Sequence, residues 1–165
     1  MTDRTLVLLR HAKAANPGDV ADAQRALTTR GQADAAAAGT WLADNQLLPD
    51  LVLSSPARRA RETWHGVAPA LGDQATHTTV VYEPTIYNAA TGQELLDLVG
   101  TTDPDVTTLL VIGHNPPLSA LSSLLDPGAD EDLRTSGVAV HRVPDVWGAL
   151  AAGGAPRMAS HTARA

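Results

Sequence analysis

Cysteine is absent from the sequence, and several other residue types are scarce. Without cysteine the chain can form no disulfide, has no thiolate nucleophile and offers no cysteine-based zinc site. Phenylalanine is also absent and aromatic residues make up only 3% of the chain, so the core must be built mainly from leucine, valine and alanine. The one lysine is Lys13, which leaves arginine to supply nearly all of the positive charge.

Long apolar runs and basic tracts are lacking as well. The apolar run near the N-terminus, residues 6–9, is too short for a secretory signal, and no stretch approaches the roughly 18 apolar residues that a membrane helix needs. The net charge is -6, and no basic tract is interleaved with aromatic residues, which disfavours nucleic-acid binding. We therefore expect a cytoplasmic protein whose partners include neither a membrane nor a nucleic acid.

The chain does contain an alternation of strand-like and helical segments, and its 165 residues suit a single domain spanning 1–165. Hydrophobic patterning predicts strands at 5–9, 50–55, 78–83, 107–113 and 138–143, with an edge strand near 157–162. It predicts helices at 28–45, 56–71, 91–100 and 115–126, the second with an apolar stripe along one side. Ser55 suits the N-cap of the second helix, and Asn115 can cap the fourth. This alternation predicts an α/β fold, a three-layer α/β/α sandwich with a largely parallel central sheet.

Four of the predicted strands end next to side chains that can do chemistry. The carboxyl ends of parallel strands lie at one edge of a sheet, where ligands bind. We therefore expect these side chains to meet at one rim. They are Arg10 and His11 after the first strand, Arg58 and Arg59 after the second, Glu83 after the third, and His114 and Asn115 after the fourth.

This combination of side chains is typical of a phosphate site. Guanidinium groups match phosphate oxygens, and helices that begin near Pro56 and Pro116 would add backbone N–H donors. Arginine repels cations, so no metal site is expected here. A neutral imidazole can attack phosphorus, and neighbouring arginines disfavour its charged form. His11 is therefore the candidate nucleophile, and His114 is a candidate to stabilise the charge of the transferring phosphoryl group.

The same residues occur in three segments with a fixed order, namely LLRHAKA around His11, SSPARRARET around Arg59 and VIGHNP around His114. These resemble the signature segments of the histidine phosphatase superfamily, also called phosphoglycerate-mutase-like. Ala12 stands where the family has glycine. The resemblance implies a phosphoglycerate-mutase-like fold and a phosphatase without metal ion or other cofactor. It also implies His11 as nucleophile, Arg10 and Arg59 as phosphate ligands, and His114 as electrostatic partner.

The short chain and the segment RALTTRG, residues 25–31, resemble the small SixA-type phosphohistidine phosphatases of that superfamily. This resemblance implies that Arg25 lies over the active site and that the substrate is a phosphohistidine protein. Ala26 replaces the proline that usually follows this arginine. Asn115 is a further candidate for substrate binding.

The general acid is the least defined part of the predicted site. Glu83 follows the third strand and is the positional candidate, and partial burial beside a phosphate dianion would raise the pKa of its carboxyl group. Glu83 could equally cap the loop that follows it. A phosphoramidate substrate would need less help from an acid, because its leaving group is an imidazole.

Three alternatives to a phosphohistidine phosphatase remain open at this stage. A phosphomonoesterase for small molecules would use the same residues. A mutase is disfavoured because the chain lacks the long insertions that larger mutases carry. A non-catalytic phosphoprotein-binding module would bind phosphate without hydrolysing it. A phosphorylated partner is common to the first and last of these, and the sequence leaves the oligomeric state open.

Overall fold

The computed structural model describes residues 3–129 and 131–165. Strands and helices alternate along most of this chain, as the patterning predicts. In chain order they are β1 (Arg4–Arg10), α1 (Thr29–Asp44), β2 (Leu51–Ser54), α2 (Arg58–Leu71), β3 (Thr79–Tyr82), α3 (Pro84–Asn88), α4 (Gly92–Gly100), β4 (Thr108–Gly113), α5 (Pro117–Leu125), β5 (Gly137–Val143) and β6 (Arg157–Thr162).

The strands form one mixed sheet in the order β3-β2-β4-β1-β5-β6. The first four strands of this order are mutually parallel, and β5 runs antiparallel to both of its neighbours. Five strands therefore point in one direction, and the predicted largely parallel sheet is confirmed. The predicted edge strand is also confirmed, because β6 forms one edge of the sheet.

The central strands are buried on both faces, which explains their continuous apolar character. In β1, Leu6 and Leu8 join one core cluster, whereas Val7 and Leu9 join the other. The first cluster lies under α4 and α5, and the second lies under α1 and α2. The helices therefore form a layer on each side of the sheet, as in the predicted three-layer sandwich.

Helices α1 and α2 pack closely on one face of the sheet. The predicted apolar stripe of α2 is buried, with Ala60 and Val67 fully covered. Gly39 of α1 lies so close to the backbone of Val67 that a Cβ at Gly39 would overlap the Val67 carbonyl oxygen. This packing fixes α2, whose first turn carries Arg59, against the sheet.

Two helix starts differ from the sequence prediction. Helix α2 begins at Arg58 with Ala57 as its N-cap residue, so Ser55 is not the cap and Pro56 precedes the helix. Helix α5 begins at Pro117, and Pro116 rather than Asn115 occupies the N-cap position. The Asn115 side chain nevertheless accepts from the N–H of Ser119 in the first turn of α5 at 3.1 Å, as its expected capping role requires. The Ser55 hydroxyl instead accepts from the N–H of Ala57, before α2 starts.

Two further differences lie at the β3 edge of the sheet. Strand β3 is short and largely exposed, because it is the outer strand on that side. The short helix α3 falls in a segment that the sequence predicts as a loop. Within residues 3–129 and 131–165, none of the helices combines the length and the apolar character needed to span a bilayer.

Candidate active site

The order of the strands brings His11 and His114 together. Strands β1 and β4 are parallel neighbours with Arg10 opposite Gly113, and each strand is followed at once by its histidine. The backbone N–H of His11 donates to the Gly113 carbonyl oxygen at 3.1 Å. The two imidazole rings lie 5.2 Å apart, measured between their centroids. The structure thus joins two residues that are far apart in the sequence.

His11 is held in one protonation and tautomeric state. Its Nδ1 lies 2.8 Å from the Ala12 carbonyl oxygen, which can only accept, so Nδ1 carries the hydrogen and Nε2 keeps its lone pair. Burial is the main reason that the pKa of His11 lies at about 4, and the guanidinium groups of Arg59 and Arg10 also lower it. At neutral pH His11 is therefore an uncharged imidazole with a nucleophilic nitrogen.

The turn that carries His11 is tied to the helix that carries Arg59. The N–H of Ala12 donates to Thr63 Oγ1 at 3.0 Å, and that hydroxyl donates to the Arg59 carbonyl oxygen at 2.7 Å. Thr63 is fully buried, so these bonds are shielded from water. His11 and Arg59 therefore keep a fixed relative position.

His114 is also uncharged at neutral pH. Burial is the largest of the causes that lower its pKa to about 3, followed by the proximity of His11 and Arg59. Its Nε2 lies 2.7 Å from the hydroxyl oxygen of Ser55. Its Nδ1 is buried and has no hydrogen-bond partner within the part of the chain that the structure describes.

Two adjoining cavities of about 360 and 390 Å³ open at these residues and share Arg59, His114 and Asn115. The first cavity is also lined by His11 and by three more basic residues, Arg10, Lys13 and Arg25. Although the chain as a whole is acidic, this rim is strongly cationic, as an anion site requires. The buried Nε atoms of Arg10 and Arg59 have no hydrogen-bond partner among the described residues.

Asp22 faces these arginines, and the sequence analysis did not single it out. Its carboxylate accepts hydrogen bonds from Tyr87 at 2.7 Å, Arg59 at 3.1 Å and Arg25 at 3.3 Å. The bond from Tyr87 is the largest cause lowering the pKa of Asp22 to about 2. Asp22 precedes Arg25 by three residues, and this i,i+3 pairing of opposite charges was the signal available in the sequence.

Arg25 and Asn115 both line the cavities, as predicted, but their side chains are already engaged. Arg25 donates through Nε to the Ala15 carbonyl oxygen at 3.0 Å, besides its contact with Asp22. Asn115 donates to the Leu133 carbonyl oxygen at 2.7 Å and accepts from the Ser119 hydroxyl at 2.7 Å. Because both its amide nitrogen and its amide oxygen are already hydrogen-bonded to protein groups, Asn115 is better placed to stabilise the rim than to bind substrate.

Glu83 does not line either of the two cavities. It lies at the N-cap position of α3 after the edge strand β3, and two strands, β2 and β4, separate β3 from β1. At about 4.8 Å per strand, this places the two strand axes roughly 14 Å apart. The acid role of Glu83 stays a sequence prediction that its position does not support.

The arrangement combines a neutral imidazole nucleophile with several fixed cations, which suits the binding and transfer of a phosphoryl group. Over residues 3–129 and 131–165 the structure contains no cluster of three or more His, Asp or Glu side chains that could hold a metal ion.

Comparison with known proteins agrees with this geometry. Residues 6–92 match the family model of the histidine phosphatase superfamily, branch 1. An uncharacterised protein of Mycobacterium tuberculosis is 37% identical over 94% of this chain and 100% of its own length.

Two solved structures are similar throughout. A candidate phosphohistidine phosphatase SixA from Nakamurella multipartitia has a TM-score of 0.86 and 29% identity, covering 100% of this chain and 99% of its own. A candidate SixA from Agrobacterium tumefaciens has a TM-score of 0.72 and 33% identity, covering 86% and 92%. The chain belongs to the histidine phosphatase superfamily, and it is a hydrolase of the phosphatase class with the phosphoglycerate-mutase-like fold.

Proposed function

We propose that the protein is a phosphohistidine phosphatase that works through a phosphohistidine on His11, without a metal ion. The observation that carries the proposal is the state of His11, whose Nδ1–H is bonded to the Ala12 carbonyl oxygen while Nε2 is left with a lone pair. His11 lines a cavity together with Arg10, Arg25 and Arg59, which supply the positive charge that a phosphoryl dianion needs.

The reaction proceeds in two displacements at phosphorus. In the first, Nε2 of His11 attacks, the bond between phosphorus and the substrate nitrogen breaks, and the substrate imidazole leaves. In the second, water attacks phosphorus and the bond to Nε2 breaks, which releases inorganic phosphate and restores neutral His11. The arginines and His114 stabilise the charge on the phosphoryl oxygens in both steps. The Ala12 carbonyl keeps the Nδ1 hydrogen in place, so His11 departs as a neutral imidazole.

Among residues 3–129 and 131–165, the carboxyl group that lines these cavities has no proton to give, and this supports a substrate with a good leaving group. Asp22 is the acidic residue lining these cavities, and with a pKa of about 2 it is ionised at neutral pH and has no proton to give. An alkoxide leaving group needs such a proton, whereas the imidazole of a phosphohistidine leaves as a neutral molecule once its ring is protonated. The similarity to SixA chains described as phosphohistidine phosphatases points to the same substrate.

A panel of substrates tests this proposal. The wild-type protein should hydrolyse a phosphohistidine protein and an aryl phosphate, whose leaving groups need little protonation, in the presence of EDTA. It should hydrolyse phosphoserine peptides and sugar phosphates at least about 10²-fold more slowly, the size of the missing acid contribution. His11→Ala should remove turnover of every substrate while the circular dichroism spectrum stays unchanged.

Three results would contradict the proposal. Full turnover by His11→Ala would exclude His11 as the nucleophile. Equal kcat/KM for phosphoserine peptides and phosphohistidine would exclude the substrate class, and would indicate a phosphomonoesterase instead. Tight binding of vanadate without any hydrolysis would indicate a binding module.

A further inference from the structure

His114 must present a hydrogen to substrate in order to stabilise a phosphoryl group. An uncharged imidazole has one N–H, which is on either Nδ1 or Nε2. If the hydrogen is on Nε2, the lone pair of Nδ1 repels phosphoryl oxygens. If it is on Nδ1, that nitrogen donates a hydrogen bond. The function of His114 therefore depends on which nitrogen carries the hydrogen, and a neighbouring group must decide this.

Ser55 is the neighbour that contacts His114 Nε2, at 2.7 Å. Ser55 is fully buried and directly follows β2, and its N–H donates to the Ile112 carbonyl oxygen at 3.0 Å. Because β2, β4 and β1 are adjacent, Ser55, His114 and His11 follow neighbouring strands at one edge of the sheet. Ser55 thus approaches His114 from the side of β2, while His11 lies on the side of β1.

The other hydrogen bond of Ser55 shows which way the hydroxyl points. Its oxygen accepts from the N–H of Ala57 at 3.1 Å, so one lone pair is used. Among the described residues, His114 Nε2 is the acceptor that remains for the hydroxyl hydrogen. If Nε2 carried a hydrogen instead, the Ser55 hydroxyl would be buried without an acceptor, which costs about 1–3 kcal/mol.

The opposite side of the His114 ring supports the same assignment. Nδ1 is buried without a hydrogen-bond partner in the described part of the chain, and His114 lines both cavities. Cationic groups surround these cavities, so they suit an anion, and an anion bound beside His114 could accept a hydrogen bond from Nδ1. An unpaired donor at this point fits a phosphoryl oxygen.

We propose that Ser55 is a positioning residue, whose hydroxyl donates to His114 Nε2 and keeps the ring hydrogen on Nδ1, where it is donated to the phosphoryl group. This inference rests on the proposed function, because it assigns His114 a phosphoryl oxygen as its acceptor. The proposal gives Ser55 a role that its neighbour Ser54 does not share. The Ser54 hydroxyl donates to the Ser55 carbonyl oxygen at 3.0 Å and does not contact either histidine.

Nitrogen NMR of the ¹⁵N-histidine-labelled protein tests the assignment directly. Long-range proton–nitrogen correlations distinguish the two neutral tautomers, and His114→Gln identifies the signals. At neutral pH the wild-type spectrum should show His114 with its hydrogen on Nδ1. Ser55→Ala should move the hydrogen to Nε2 or give a mixture, whereas the matched control Ser54→Ala should leave the wild-type pattern.

Kinetics supply the second readout. Ser55→Ala should lower kcat for an aryl phosphate by about 10²-fold, the effect of losing one fixed donor to the transition state. Ser54→Ala should keep wild-type kcat. A wild-type tautomer with the hydrogen on Nε2 overturns the inference even if Ser55→Ala fails to fold, and so does a folded Ser55→Ala that keeps both the Nδ1 hydrogen and full kcat. Because the tautomer is read in the free protein, failure of the His11 mechanism would be seen separately in His11→Ala.

Discussion

At the scale of single residues, the site depends on two imidazoles that stay uncharged beside several guanidinium groups. Burial and the neighbouring guanidinium groups both lower the pKa values of His11 and His114, and each ring has one nitrogen hydrogen-bonded to a protein group. The proposed role of His11 as nucleophile requires this neutrality, and the proposed role of His114 depends on which of its nitrogens carries the hydrogen. These are properties of individual atoms, set by contacts of less than 3 Å.

The protonation of His11 is measurable in the free protein. Its pKa of about 4 lies below the ordinary value of 6.5, so the ring should stay neutral as the pH falls and become protonated only near pH 4. We expect the His11 ring signal, assigned with His11→Gln, to titrate with a midpoint near 4 in a proton NMR titration. A midpoint near 6.5 would show that burial and the arginines do not control this ring.

Asp22 should compete with substrate for the arginines. Its carboxylate is bound by Arg59 and Arg25 and therefore occupies donors that a phosphoryl group would use. Asp22→Asn removes the competing charge and keeps the size of the side chain. We expect vanadate to inhibit this variant about tenfold more tightly, equivalent to about 1.4 kcal/mol.

The control for this experiment is Asp19→Asn, which removes an exposed charge from the same segment. It should leave the inhibition constant of vanadate close to that of the wild type, because salt screens distant surface charges. Weaker binding of vanadate to Asp22→Asn would mean that Asp22 orients Arg59 rather than competing with the substrate.

At the scale of secondary-structure elements, the site depends on strand order and on the packing of α1 against α2. Parallel pairing of β2, β4 and β1 aligns the residues that follow them, and α2 is held on the sheet by its contact with α1. Gly39 is the point of closest approach, since it contacts the backbone of Val67. A small increase in side-chain size at Gly39 should therefore affect the packing of the whole of α2.

Gly39→Ala should destabilise the protein, although replacing glycine by alanine within a helix normally stabilises by about 1 kcal/mol. The added Cβ would overlap the Val67 carbonyl oxygen, and such overpacking costs about 1–3 kcal/mol. Urea unfolding measures the change. The matched control is Gly100→Ala in α4, where the nearest atom leaves ordinary van der Waals space. A Gly39→Ala variant as stable as the wild type would contradict the close packing.

The elements also show what can be read from the sequence and what cannot. Hydrophobic period predicted the strands, the long helices and the edge strand, because burial of one or both faces leaves a regular pattern. It missed α3, whose five residues are too few to show a helical period. It also placed the start of α2 too early. A serine followed by proline favours an N-cap on local grounds, but the Ser55 side chain is hydrogen-bonded to His114, which follows the neighbouring strand β4.

The site itself was predictable to the extent that its residues follow strands. Arg10 ends β1, His11 and His114 directly follow strands, and Arg59 lies in the first turn of α2. The topology therefore brings them together. Asp22 begins a 3-10 helix of only three residues, Asp22–Gln24, which is too short to leave a periodic signal, and its partner Tyr87 lies 65 residues away. A contact of that kind depends on tertiary structure, which a single sequence does not reveal.

At the scale of the whole molecule, the three histidines with lowered pKa values couple folding to pH. His11, His114 and the buried His141 all bind protons less readily in the folded chain than in the unfolded chain. Below about pH 6.5 the unfolded chain therefore takes up protons that the folded chain does not. The contribution of these neutral histidines to the free energy of unfolding is fully present above this pH, and it is lost as the pH falls towards 4.

We expect the free energy of unfolding to fall by about 1–2 kcal/mol for each of His11 and His114 between about pH 7.5 and pH 5, with a further fall from His141. Urea unfolding at a series of pH values measures this slope. The variant His11→Gln has one group fewer and should show a shallower slope over the same range. An unchanged slope in that variant, or a stability that rises on acidification, would contradict the assignment of a neutral buried imidazole.

The central claim is the covalent phosphohistidine on His11, and rapid-quench trapping with a ³²P-labelled aryl phosphate tests it most directly. We predict one phosphoryl group per chain, stable in alkali and labile in acid, located on His11 by peptide mapping and formed and lost fast enough to account for turnover. The account would be contradicted if phosphate were released with no such adduct, or if the label were found on a hydroxyl side chain.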